Sequence, residues 1–125
     1  MTQAPNIFAS ARTQIDRLAL RQVSAVDLLE EHIARHAAVN PAINAVVRTD
    51  LERARRRAEE LDRLLASGIP AGPLHGLPIT IKDTFDVEGM PATAGAPEYA
   101  RRPTTTPDAA AVARLRAAGA VIWGK

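Results

Sequence analysis

Lys82 closes a run of alternating apolar residues, Leu77, Ile79 and Ile81, in a chain that carries nearly all its positive charge as arginine. Of 16 basic residues, only Lys82 and Lys125 are lysines. The difference is chemical. A desolvated lysine can release its proton, whereas arginine effectively cannot. A lysine at the end of an apolar strand can therefore serve as a base near neutral pH. It can also be a surface lysine paired with its neighbour Asp83, and from pattern alone that pairing is the expectation.

The other chemically capable residues give weaker signals. His75, in Pro73-Leu74-His75-Gly76, is either a base or a turn residue whose ring bonds nearby backbone, and the structural role is the expectation. His32 and His36 stand at i,i+4, a spacing that can hold a metal on one helix face. No third ligand is evident, so they read as part of a solvated helix face, and no metal is expected. The serines are Ser10, Ser24 and Ser67, and none lies in a nucleophile elbow. Gly72-Pro73-Leu74-His75-Gly76 lacks the spacing and the Lys-Ser/Thr ending of a phosphate loop. Cysteine is absent, which excludes disulfides, thiolate metal sites and a thiol nucleophile within this chain.

The elements that must position Lys82 follow from periodicity. Phe8, Ala11, Ile15 and Leu18 make one helical stripe. Ser24 and Asp27 form an S-x-x-D start for a second helix, with Val26, Leu29, Ile33 and Ala37 as its stripe. Asn40-Pro41 is expected to stop it, and Ile43–Val47 reads as a short strand. A third helix covers about Asp50 to Ala66, with Leu51, Ala54, Ala58, Leu61 and Leu65 facing inward. Its Glu52/Arg56, Arg55/Glu59, Arg56/Glu60 and Glu59/Arg63 pairs make the Arg53–Arg57 cluster a solvated face rather than a binding patch.

From Ser67 onward, glycine and proline punctuate the chain. Leu77 to Lys82 is a strand by its period of two, with Thr80 and Lys82 on one face. A helix is expected near Pro107, capped by Thr106 and assisted by Asp108. Gly119 ends it, and Val121–Trp123 is a further strand. Strand, helix, strand is the parallel crossover of an α/β sheet. The long connection from Asp83 to Pro107 leaves the carboxyl end of the first strand, where ligands of open α/β sheets sit. The expected organisation is a helical region over residues 1–66 and the start of an α/β core over 67–125.

The chain has 125 residues, 46% hydrophobic and 24% charged, an ordinary globular balance. Its net charge is +2, its arginines are interleaved with acids and its aromatics are only 3%. No basic face emerges, so no nucleic-acid partner is expected. No apolar run approaches the length of a membrane span, and Met1–Ser10 has neither the basic start nor the apolar core of a secretory signal. No membrane partner is expected, and the default location is cytoplasmic.

Three blocks together resemble the amidase signature family. They are Gly72-Pro73-Leu74-His75-Gly76-Leu77-Pro78-Ile79-Thr80-Ile81-Lys82-Asp83, then Gly89-Met90-Pro91-Ala92-Thr93-Ala94-Gly95, then Asp108 through Ala113-Arg114-Leu115-Arg116 to Ala120-Val121-Ile122-Trp123-Gly124-Lys125. Asn40-Pro41 and Asn44-Ala45-Val46-Val47 are similar in pattern. The resemblance implies an α/β domain with a large mixed, largely parallel sheet flanked by helices. It implies hydrolysis or transfer of carboxamides by a serine nucleophile, a second serine in a cis peptide bond, and a lysine, without a cofactor. Lys82 matches that lysine.

The matched pattern stops at Gly124-Lys125, before the Gly/Ser-rich signature that holds both serines in relatives. Ser10, Ser24 and Ser67 precede the lysine and do not match them, and Ala96 stands where many members have serine. The expectation is an N-terminal piece of an amidase, from a truncated gene product, a split gene or a partial chain. Such a piece is expected to be inactive alone, with an incomplete sheet, exposed apolar surface and a tendency to self-associate or to bind a complementary C-terminal fragment. Its parent would take small carboxamides. The alternatives are a non-catalytic interaction module and a fragment of a glutamine-dependent amidotransferase subunit.

Overall fold

The computed structural model describes residues 8–104 and 106–125. The reading of Met1–Ser10 as lacking a signal falls mainly on residues 1–7, which lie outside the described residues. Three helices come first: α1 (Ala11–Ala19), α2 (Ala25–Ile43) and α3 (Leu51–Ala66). Strand β1 (Pro78–Thr80), a short 3-10 helix (Pro97–Arg101), α4 (Ala110–Ala117) and strand β2 (Val121–Gly124) follow. β1 and β2 are parallel neighbours, joined by the crossover that contains α4.

The helix starts are set by side-chain caps. Ser10, Ser24 and Asp50 accept the N–H groups of Thr13, Asp27 and Arg53 respectively. Asp62 of α3 adds a second anchor to α2, its carboxylate accepting the Ala25 N–H at 2.7 Å and the Val26 N–H at 3.1 Å.

The structure departs from expectation in several places. Phe8 lies outside α1 and is 85% exposed, so that stripe buries only Leu18 fully. The buried face of α2 is Ala25, Leu28 and Leu29 rather than a stripe ending at Ala37. Pro41 does not stop α2 but sits inside its last turn. A proline there forfeits one backbone bond, and the true stop is Asn44 in the left-handed region at φ 47°. Asn40 then clasps the outgoing chain, accepting the Val46 N–H and donating to the Val46 carbonyl, both at 2.9 Å. The expected strand at Ile43–Val47 is consequently absent. Pairing shifts to the next residues, where Val47 N–H donates to the Lys125 carbonyl, Asp50 N–H to the Trp123 carbonyl, and Thr49 bridges Gly124.

The last departure is at α4, which begins at Ala110 rather than near Pro107 behind a Thr106 cap. Its N-cap is Ala109, which offers no side-chain bond. Asp108 lies ahead of the first turn, where it holds Arg116 through Nε at 2.7 Å and Nη2 at 3.1 Å, and accepts the Glu88 N–H at 2.8 Å.

β2 is buried on both faces, as a parallel strand requires. Val121 and Trp123 join Leu18, Ala25, Leu28, Leu29, Ala54, Ala58 and Leu61 in one core beneath the helices. Ile122 points the other way, into a second core with Ile81, Val87, Met90 and Val112. The approach to β1 is stitched to the end of α4: Leu74 N–H donates to the Ala118 carbonyl and Gly76 N–H to the Gly119 carbonyl. Gly119 ends α4 at φ +97°, and a Cβ there would stand 2.8 Å from His75 Cα, so only glycine fits.

Candidate active site

Lys82 follows β1 by two residues, at the carboxyl edge of the sheet, on the exposed face it shares with Thr80. The Ile81 N–H just before it donates to the Gly124 carbonyl at 2.9 Å. The chain turns immediately after, Phe85 N–H donating to the Lys82 carbonyl at 3.1 Å. Lys82 is exposed at this edge rather than enclosed by the described residues. The pair expected between Lys82 and its neighbour gives way to a different partner for the carboxylate.

Asp83 belongs instead to Lys125. The Lys125 side chain is fully buried, its Nζ 3.2 Å from Asp83 Oδ1 and 3.2 Å from the Pro91 carbonyl. The other Asp83 oxygen accepts the Thr93 hydroxyl, and the Asp83 carbonyl accepts the Ala94 N–H at 3.0 Å. Burial by itself would raise the Asp83 carboxyl. The Thr93 hydroxyl and N–H and the Lys125 ammonium outweigh it and hold the carboxyl below its usual range. Ala94 sits at φ 50°, a left-handed conformation costly for a residue with a Cβ. No spacing rule pairs residue 83 with residue 125. The available signal was that both belong to family-like blocks and that Lys125 is the other lysine.

His75 has the structural role expected. It is buried, and its Nδ1 accepts the Ala71 N–H at 2.9 Å, which fixes the ring as an acceptor on that side. Burial pushes its pKa below the ordinary value, partly offset by Asp62 and the Leu61 carbonyl. His32 and His36 are not on a solvated face. Both are half-buried along a cavity of about 210 Å³ shared with Gln14, Val39, Val46 and Trp123. His32 Nε2 meets Gln14 Oε1 at 2.9 Å, and His36 stacks edge-on against Trp123 with ring centroids 5.4 Å apart. Among the described residues, no group of three side chains could hold a metal ion.

All three serines serve helix ends. Ser10 and Ser24 are N-caps, and Ser67 closes α3 by donating to the Arg63 carbonyl. The arginines of α3 are mostly committed to acids. Arg55 reaches Glu30 on α2 at 2.6 Å instead of Glu59, Arg56 pairs with Glu52, and Arg57 pairs with Glu60 at 2.8 Å. Arg53 departs from the solvated-face reading, its Nη1 donating to the Glu88 carbonyl of the long connection at 2.6 Å. No helix among the described residues is long and apolar enough to cross a membrane.

The chain is 41% identical over all 125 of its residues to an acylamidase of Rhodococcus erythropolis, covering 26% of that protein. It is 39% identical over 115 residues to a glutamyl-tRNA(Gln) amidotransferase subunit of Acidothermus cellulolyticus, covering 21% of it. The native peptide amidase of Stenotrophomonas maltophilia superposes with a TM-score of 0.87 at 32% identity, over 97% of this chain and 25% of that one. The chain thus spans about a quarter of the length of the relatives it matches. Its fold is α/β and incomplete relative to theirs. The Amidase family model matches residues 27–125, from the first turn of α2 through β1, Lys82 and the crossover to the end of β2, and the chain belongs to that family.

Proposed function

We propose that this chain is the lysine-bearing part of an enzyme that hydrolyses small carboxamides to acid and ammonia, with Lys82 as its base. The observation that carries the reading is that Lys82 stands at the carboxyl end of a parallel strand, inside the stretch that matches the family, where the long connection also begins. A neutral Lys82 amine would draw a proton, through a serine held in a cis peptide, from a nucleophilic serine. That oxygen attacks the amide carbonyl, the amine leaves with a proton, and water releases the acid from the acyl-enzyme. Both serines would be supplied by residues outside this sequence, since Ser10, Ser24 and Ser67 are occupied at helix ends. Those residues would also cover the exposed face of Lys82 and supply the desolvation that a neutral amine needs. The isolated chain is therefore expected to be inactive and to associate with a complementary C-terminal portion or with itself.

Similarity to a glutamyl-tRNA(Gln) amidotransferase favours a second reading within the same chemistry, in which the ammonia freed from glutamine is passed to an acceptor. The test is a chimera in which this chain replaces the matching quarter of the Rhodococcus acylamidase. Ammonia release from simple carboxamides supports the hydrolytic reading. A folded chimera that releases none rejects it.

A further inference from the structure

On the reading that Lys82 is the base, we propose that Lys125 is a positioning residue for it, acting through its clamp on the Asp83 carboxylate and the Pro91 carbonyl. The geometry is reciprocal across one peptide on each side of Lys82. Ile81, before it, donates its N–H to the Gly124 carbonyl at 2.9 Å. Asp83, after it, is held by Lys125 Nζ at 3.2 Å. Two consecutive residues at the end of β2 therefore grip both flanks of Lys82. The main chain of Lys125 is itself fixed, its N–H donating to the Arg48 carbonyl at 2.8 Å and its carbonyl accepting the Val47 N–H at 2.7 Å. The clamp extends to the long connection through Pro91, Thr93 and Ala94, the last two bound to Asp83.

A buried ammonium is costly unless it is paired and hydrogen-bonded. A fold needing only bulk at position 125 would use an apolar side chain, and Lys125 instead reaches two acceptors on two segments. Its N–H groups act as donors to fixed acceptors, a holding role, while the exposed amine of Lys82 is left for the reacting groups. A misplacement on the order of 1 Å at a reacting group can cost about a hundredfold in rate.

The test uses the acylamidase chimera, with active sites counted by the acyl-enzyme burst. Lys125→Met is expected to lower kcat per active site at least tenfold, to leave KM within about twofold, and to keep the midpoint of the kcat–pH profile. A kcat per active site equal to that of the parent overturns the proposal, as does loss of the acidic limb of the profile, where a neutral amine is required, which would make Lys125 the proton carrier. The Lys125→Met/Asp83→Asn double variant removes the unpaired charge. It should recover thermal stability without recovering kcat, and recovery of both means Lys125 only supports the fold. Lys82→Ala keeps the two readings apart: full activity in that variant rejects the role of Lys82, whereas its inactivity beside a fully active Lys125→Met rejects only the clamp. Should the chimera variants fail to fold, amide exchange in this chain alone decides. Lys125→Met should speed exchange at least tenfold at the Ile81 and Ala94 N–H groups, which are bonded to the Gly124 and Asp83 carbonyls, with Leu61 unchanged, and unaltered exchange at both overturns the proposal.

Discussion

Asp83 and His75 both withdraw stability as pH falls, over different ranges, and each can be measured. The Asp83 carboxyl is held below its ordinary value of 3.8, so the unfolded chain takes up that proton first as acid is added. Its contribution is complete above about pH 4 and is lost as pH falls through the folded value. Asp108 behaves alike, lowered chiefly by the Arg116 hydrogen bonds. Asp83→Ala should cost about 3 kcal/mol at neutral pH, because it leaves the Lys125 ammonium buried without its partner. Urea denaturation at pH 7 checks this, and a cost below about 1 kcal/mol contradicts it.

For His75 the folded pKa lies below 6.5 because burial disfavours the imidazolium. Above pH 6.5 the ring is neutral in both states and there is no difference to lose. As pH falls below that value the unfolded state binds the proton first, so stability declines. His32, lowered by its own burial, adds to the same slope. In His75→Asn the melting temperature should fall less between pH 7 and pH 5 than in the parent. Equal slopes would contradict the burial of a neutral ring.

At the scale of elements, α4 lacks the side-chain cap that α1, α2 and α3 possess. Ala109 has an extended backbone at ψ 152° and no side chain that can bond the first turn. Ala109→Ser should add about 1 kcal/mol of stability, read as a higher urea midpoint. Gly119→Ala should cost about 2 kcal/mol or more, since a left-handed backbone and a 2.8 Å approach to His75 Cα are both penalised.

These elements also mark what could be read in advance. The Ser24 and Asp50 starts, the inward face of α3 from Leu51 to Leu61 (beyond which Leu64, not Leu65, packs on the core), the strand before Lys82 and the Gly119 stop were legible because caps, periodicity and glycine are local signals. Pro41 misled because its cost depends on how much helix follows, and here only Ala42 and Ile43 do. Thr106 misled because Asp108 was already engaged by Arg116 and Glu88, eight and twenty residues away. The Lys125–Asp83 pair and the placement of His36 on Trp123 join distant segments, and no local pattern encodes them.

For the whole molecule, the sheet makes one cooperative unit of the helices and the crossover, because Val121 and Trp123 sit in the core that Leu28, Leu29 and Leu61 build. Leu61→Ala should cost about 3 kcal/mol by leaving a cavity under β2, and calorimetry should show the loss as a single lowered transition. On the proposed function, the residue that this framework positions is Lys82, at the carboxyl edge of that sheet. The most direct measurement is turnover of a simple carboxamide by the acylamidase chimera bearing Lys82→Arg. Arginine keeps the positive charge and cannot lose its proton. The account predicts a fall in kcat on the order of a thousandfold or more with the fold intact. Turnover within a few-fold of the parent would show that no proton passes through Lys82.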